Sequence, residues 1–173
     1  PGLPNVASAS DLMVGTTNVN EFFDGSIPVV QIYSQALTNY QVLLNYNNLL
    51  PRFTDPTPTP TPTPTLTPTF TSTPTNTPTV SPTPNIVSNG LIINLDAYSS
   101  VSYPGSGTTV YNLQSGSYNH TLSNASYTTL NTIKCFDANG STALISVPSG
   151  TGPTLPTTGY TYVTWARVKA SQS

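Results

Sequence analysis

Residues 54–84 read TDPTPTPTPTPTLTPTFTSTPTNTPTVSPTP, and this stretch sets the organisation of the whole chain. Threonine or serine occupies every odd position from Thr57 to Thr83, and ten prolines fill most of the even positions. Proline fixes φ at about −65° and restricts the residue before it to extended backbone. The sequence therefore predicts an extended, polyproline-II-like linker, which would span on the order of 90 Å at about 3.1 Å per residue.

Threonines this dense beside proline are also typical of O-glycosylated stalks. We therefore expect a rod that carries O-glycans, with a plain spacer as the alternative interpretation. The candidate O-glycosylation sites all lie at odd positions: Thr57, Thr59, Thr61, Thr63, Thr65, Thr67, Thr69, Thr73, Thr75, Thr77, Thr79 and Thr83.

Strand patterns lie on both sides of this Thr-Pro linker. In residues 1–53, Val29–Tyr33 is apolar and β-branched, and Pro28 before it indicates an edge or a bulge. In residues 85–173, Leu91–Leu95 predicts a first strand. Further short strands are separated by turn signals at Pro104-Gly105, Ser115-Gly116, Asn139-Gly140 and Gly152-Pro153, and the longest candidate strand is Tyr160–Val168. This spacing is typical of an all-β sandwich.

One short helix is predicted, before the linker. Thr38 is a good N-cap and Gln41 follows three residues later, which is the capping-box pattern. Leu37 and Val42 are spaced to pack against each other as a hydrophobic staple. We expect this helix over residues 39–45.

Composition excludes several classes of function. Charged residues make up 6% of the chain, against about 25% in an average soluble domain, which favours a secreted protein or a virion appendage. The net charge is −2 without a basic run, so nucleic acid is not an expected partner. No apolar stretch approaches the roughly 18 residues of a membrane span. Cys135 is the single cysteine, and we interpret it as a small buried apolar residue.

The ionisable residues do not form a recognisable catalytic pattern. Glu21 is the single glutamate and Asp24 follows it three positions later, without a closely spaced carboxylate pair of the glycosidase kind. His120 is the single histidine and is predicted in a polar loop without a second ligand. We predict a protein that is not an enzyme and has no cofactor.

The alternative is a protein that binds calcium, because two pairs of oxygen-bearing residues are spaced to contribute ligands. These pairs are Asp96 with Asn94 and Asp137 with Asn139, and turn or strand-end roles explain them equally well. Three N-glycosylation sequons begin at Asn119, Asn124 and Asn139.

The flanks resemble a known family. The opening strands of laminin-G or concanavalin A-like jelly rolls of viral or bacterial surface proteins are similar to Gly90–Ala97, Ser102–Leu113, Phe136-Asp137, Ile145–Pro148 and Tyr162–Val168. Phe22–Leu37 and Asn45-Tyr46 resemble the closing strand and terminal helix of the same family.

The resemblance implies that residues 1–53 are the C-terminal portion of one jelly-roll module. Residues 54–84 are then the linker, and residues 85–173 are the N-terminal portion of a second module. Two explanations stay open: a stretch of tandem modules within a longer polypeptide, or head and tail pieces completed by neighbouring chains. In either case incomplete sandwiches would expose strand edges, so the expected partners are copies of itself.

The predicted function is a structural and adhesive component of an extracellular filament, or of a cell or virion surface. The alternative is a tethered carbohydrate-binding module of a larger secreted protein, which would use exposed tyrosines to bind glycans. A hydrolase whose active site lies outside this sequence is a third, more remote class.

Overall fold

The structure is a computed structural model, and it describes residues 13–14, 16–18, 21–54, 85–115, 117–148, 151–156 and 159–169. Residues 55–84, which hold nearly all of the predicted Thr-Pro linker, lie outside the described residues. Helix α1 spans Asn39–Leu49, and a 3-10 helix, Leu50–Arg52, follows it directly. The strands are β1 Met13–Val14, β2 Thr16–Asn18, β3 Glu21–Phe22, β4 Asp24–Tyr33, β5 Leu91–Asp96, β6 Thr109–Val110, β7 His120–Ser123, β8 Ser126–Leu130, β9 Ile133–Asn139, β10 Leu144–Ser146 and β11 Thr161–Val168.

The all-β prediction is confirmed, because strands dominate the described residues and every described pairing is antiparallel. One sheet has the order β1-β10-β7-β6. A five-stranded sheet has the order β11-β4-β9-β8, with β5 also paired to β4, and β2 and β3 form a separate pair. The two large sheets contribute buried side chains to one core, which includes Val14, Ile27, Val30, Ile32, Ile93, Leu95, Val110, Leu122, Phe136 and Ile145.

Strand β4 lies at the centre of the five-stranded sheet. One of its edges pairs with β11, and its other edge pairs with β9 near Asp24 and with β5 near Tyr33. Nine of its ten residues are buried, as expected of an apolar run covered on both faces. The bulge predicted at Pro28 is present, since two β4 residues face Ala166 alone in the register with β11. A bulge suits proline because it lacks the N–H that a regular ladder position uses.

Helix α1 covers the outer face of this sheet. The predicted capping box is present, with Thr38 as N-cap and Gln41 bonded back to it. The helix continues four residues past the predicted end, and its last residue, Leu49, is buried. Val42, the predicted staple partner, is 44% exposed, whereas Leu37 packs against the cluster of Tyr33, Val87 and Leu91.

Strands from both sides of the linker share one sheet. Strands β1 to β4 and α1 precede the linker, whereas β5 to β11 follow it. The division into portions of two modules, 1–53 and 85–173, stays a prediction. Within this chain, however, the predicted closing strand pairs directly with the predicted opening strand.

Candidate functional site

The contacts that join the two flanks form the candidate site. We name the described residues among 13–54 the head and those among 85–169 the tail, and their contact surface the head–tail junction. Strands β5 and β11 of the tail pair with β4 of the head and with no other strand in the described ranges. Strand β1 of the head also pairs with β10 of the tail. The tail therefore depends on the head for the centre of its larger sheet.

An ion pair links the last turn before the linker to the first strand after it. Arg52 donates from Nη1 to Asp96 Oδ2 and from Nη2 to Asp96 Oδ1, both at 2.8 Å. Both side chains are 11% exposed, and the guanidinium lies 4.9 Å from the centre of the Tyr98 ring. Removing one partner of such a pair costs about 3–5 kcal/mol, since the other charge stays behind in a desolvated place. The pair therefore makes docking of head on tail selective.

A buried hydrogen-bond network joins α1 to the start of the tail. Asn45 donates from Nδ2 to the Tyr33 hydroxyl at 2.7 Å, and its Oδ1 accepts from the Val87 amide at 2.8 Å. The Tyr33 hydroxyl donates to the Val87 carbonyl at 3.1 Å, which closes the ring of bonds. Burial raises the pKa of Tyr33, which keeps its hydroxyl a donor. The two bonds to Val87 form only when head and tail are together, whereas the Asn45–Tyr33 bond lies within the head.

Aromatic side chains complete the junction near β11. Trp165 of the tail stacks on Tyr46 with ring centres 5.3 Å apart, and Phe53 lies 4.4 Å from it at an interplanar angle of 31°. A cavity of about 310 Å³ opens beside them on the outer face of the five-stranded sheet. Its walls include Trp165, Phe53, Arg167, Asn131, Ser26 and Cys135. An aromatic wall with hydroxyl, amide and guanidinium groups beside it offers both stacking and hydrogen bonds to a polar ring molecule.

The three N-glycosylation candidates differ in how free their side chains are. Asn124 is exposed at a positive φ of 52°, and its Nδ2 makes one long bond of 3.5 Å. Asn139 accepts from three backbone amides of the turn that follows it. Asn119 is half-buried and accepts from the Asn112 amide. All three stay predictions; Asn124 and Asn139 are exposed, and Asn119 is half-buried. The candidate O-glycosylation threonines lie outside the described residues.

The sequence predicted His120 in a loop, and this prediction is wrong. It opens strand β7 with 1% of its surface exposed, and its Nδ1 lies 2.8 Å from the Tyr118 carbonyl. Its Nε2 is buried without a hydrogen-bond partner among the described residues. Desolvation lowers the pKa of His120 to about 4, so the ring is neutral at pH 7. Cys135 is buried, as predicted.

The carboxylates proposed for calcium have protein partners. Both Asp96 oxygens accept from Arg52, and Asp137 accepts from Ser26 and contacts Lys169 at 3.0 Å. Within the described ranges, no group of three or more His, Cys, Asp or Glu side chains is arranged to hold a metal ion. Asp24, part of the pair considered for glycosidase chemistry, is exposed and lies 3.3 Å from Lys169.

Sequence reasoning missed the residues of the junction itself. Arg52 is one of four cationic residues and Asp96 one of six acidic ones. The chain has few charges, and two opposite ones lie on either side of the linker: an arginine just before it and an aspartate at the end of the first strand after it. This placement was the available signal for an ion pair. Asn45, within an otherwise surface-like helix, carried no such signal, because its partner at Val87 is 42 positions away.

Comparison with known proteins finds no matching family model, no matching curated protein and no matching solved structure. The laminin-G or concanavalin A-like resemblance therefore stays a prediction. No helix in the described part of the chain is both long and apolar enough to cross a membrane.

Proposed function

We propose that this chain is a non-enzymatic structural and adhesive component of an extracellular filament, or of a cell or virion surface. The Thr-Pro linker serves as its rod and its O-glycan carrier, and the two sheets form a jelly-roll-type module. The partners in this proposal are other copies of the chain and glycans.

One observation carries the proposal: the head–tail junction holds both boundaries of the linker. Arg52, two residues before the end of the described head, is bound to Asp96, and Val87, two residues after Asn85, is bound to Asn45. A folded body that fixes a head-side and a tail-side linker boundary is suited to display Thr-Pro segments, whether the two boundaries belong to one copy or to two. The 6% charge content supports a surface whose solubility comes from hydroxyls, amides and attached sugar.

The test of this role is the intact mass of native material before and after chemical removal of glycans. We expect the native mass to exceed that of the polypeptide and to fall to it on stripping. The matched control is a variant in which alanine replaces the twelve candidate threonines while every proline stays. If native protein loses no mass on stripping, the glycan-carrier role is wrong.

A tethered carbohydrate-binding module is the second candidate, and the cavity beside Trp165 and Phe53 favours it. In this case the protein is retained on a glycan column as a discrete particle. Arg167→Gln removes a guanidinium from the cavity wall and should weaken that retention, whereas Lys169→Gln, which does not line the cavity, should not. Equal retention of both variants would remove the cavity from this candidate function.

A further inference from the structure

The head and the tail are two complementary pieces, and residues 55–84 are the covalent connection between them. The head supplies β4, nine of whose ten residues are buried, and all its sheet partners are tail strands. The tail supplies β5 and β11, whose described pairing is with β4 alone. Each piece therefore leaves its apolar surface and its strand edges uncovered unless the other is docked.

The head has little to hold it together on its own. Its α1 has eleven residues, a length at which an isolated helix is marginal in water. Four of its residues, Val14, Ile27, Val30 and Ile32, belong to the core shared with the tail. The head's stability thus comes from a tail, and nothing in these contacts requires that tail to belong to the same chain.

The sequence of the linker influences whether a head docks on the tail of its own chain or on the tail of another copy. Ten prolines in residues 55–84 favour extended backbone, and at about 3.1 Å per residue thirty residues reach on the order of 90 Å. A linker gives the head a certain effective concentration at the tail of its own chain. This concentration falls when the preferred length of the linker differs from the distance between the two docking points. An extended linker therefore disfavours closure within one chain and leaves the head available to a neighbour.

We propose that the head of one copy docks into the tail of another, so that β4 is exchanged between chains. This proposal rests on the structural role proposed above and names its partner, a second copy of this chain. The contact is heterologous, head to tail, and such contacts extend into open filaments when they do not close into rings. Each added copy contributes one Thr-Pro linker to the filament.

Zero-length cross-linking of isotope-mixed protein tests this exchange on the wild-type chain. Heavy and light copies are mixed in equal amounts, unfolded, refolded together and treated with a carbodiimide. Lys169 of the tail lies 3.3 Å from Asp24 of the head and 3.0 Å from Asp137 of the tail, and its side chain is 44% exposed. Lys169–Asp24 links report on head–tail docking, whereas Lys169–Asp137 links stay within one tail and provide the internal control.

If heads are exchanged between copies, cross-linked Lys169–Asp24 peptides should include heavy–light pairs in the share expected from random mixing. Cross-linked Lys169–Asp137 peptides should carry one isotope. If both links carry one isotope, exchange between copies is wrong. A polymeric protein with single-isotope Lys169–Asp24 links would overturn exchange and leave the structural role standing. The two proposals therefore fail by different observations.

Charge reversal at the ion pair supplies a second measurement. Arg52→Asp and Asp96→Arg each place like charges together, which we expect to weaken docking roughly 100-fold or more. Mixing the two variants restores opposite charges at every head–tail contact made between unlike copies. Assembly that recovers on mixing supports exchange, and the double variant Arg52→Asp/Asp96→Arg shows that the reversed pair can form. If the double variant assembles and the mixture does not, exchange is wrong.

Discussion

At the scale of single residues, the head–tail junction is defined by polar groups whose hydrogen bonds cross from head to tail. Arg52, Asn45 and Tyr33 lie on the head, and their partners Asp96 and Val87 lie on the tail. A shift of β4 by one residue against β5 would turn its side chains to the opposite face. Such a shift would also break the bond from Tyr33 of β4 to the Val87 carbonyl, and a buried polar group left without a partner costs about 1–3 kcal/mol. The polar contacts therefore fix a register that apolar packing alone leaves looser.

His120 makes stability depend on pH. Its pKa is about 4 in the folded protein and about 6.5 in the unfolded chain. Between these values the unfolded chain binds the proton and the folded protein does not, so stability is lost as pH falls through this window. We expect His120 to contribute a loss of about 2 kcal/mol between pH 7 and pH 4.5, measured by urea unfolding at both values.

The variant His120→Phe is the matched control for this pH effect. It cannot take up a proton, so its loss of stability between the two pH values should be smaller by the His120 contribution. Carboxylates titrate in the same range in both proteins and cancel in the comparison. An identical loss in wild type and variant would contradict the assignment.

At the scale of elements, features set by nearby residues were predictable and features set by distant ones were not. The start of α1, the bulge at Pro28 and the strand at 91–95 all follow from neighbours within a few positions, and the structure has each of them. The last turn of α1 ends at the buried Leu49, and the polar run Asn45–Asn48 before it made the local sequence end the helix too early. His120 was placed in a loop because its neighbours are polar, yet it pairs with Val110 of β6 and so belongs to strand β7.

The capping box of α1 gives a prediction at this scale. Thr38→Ala removes the side-chain acceptor of the Gln41 amide and should lower the free energy of unfolding by about 1 kcal/mol. Thr38→Ser keeps that acceptor and should restore most of the loss. Urea unfolding of the three proteins measures both effects, and equal stability of the alanine and serine variants would show that the cap is not what matters at this position.

At the scale of the whole molecule, the sequence predicted two β-rich flanks and a linker but not how the flanks meet. Strand periodicity reports which residues are buried and contains no information about which strand lies beside which. The register between β4 and β11 joins residues up to 143 positions apart, from Gly25 to Val168, and the bond from Thr164 to the Val29 carbonyl spans 135. The junction, and with it the candidate functional site, is therefore a property of pairing across the linker.

The linker gives the prediction at this scale. A Gly-Ser sequence of equal length in place of residues 55–84 would have a root-mean-square span of about 30 Å, well below the roughly 90 Å of an extended segment. Closure within one chain should then gain over exchange, so assembly should require a higher protein concentration. Light scattering over a dilution series measures this change. An unchanged midpoint of urea unfolding would show that the junction is intact, and an unchanged assembly concentration would contradict the role given to the linker.

The central position of β4 also has a consequence during synthesis. Its partner in β11 leaves the ribosome about 135 residues later, which at about 5–20 residues per second is a delay of roughly 7–27 s. For that time a newly made head has no tail of its own, while finished copies nearby already carry complete tails. Under the proposed exchange, the order of translation gives each head its first encounters with older molecules, and growth of an assembly begins before the newest chain is released.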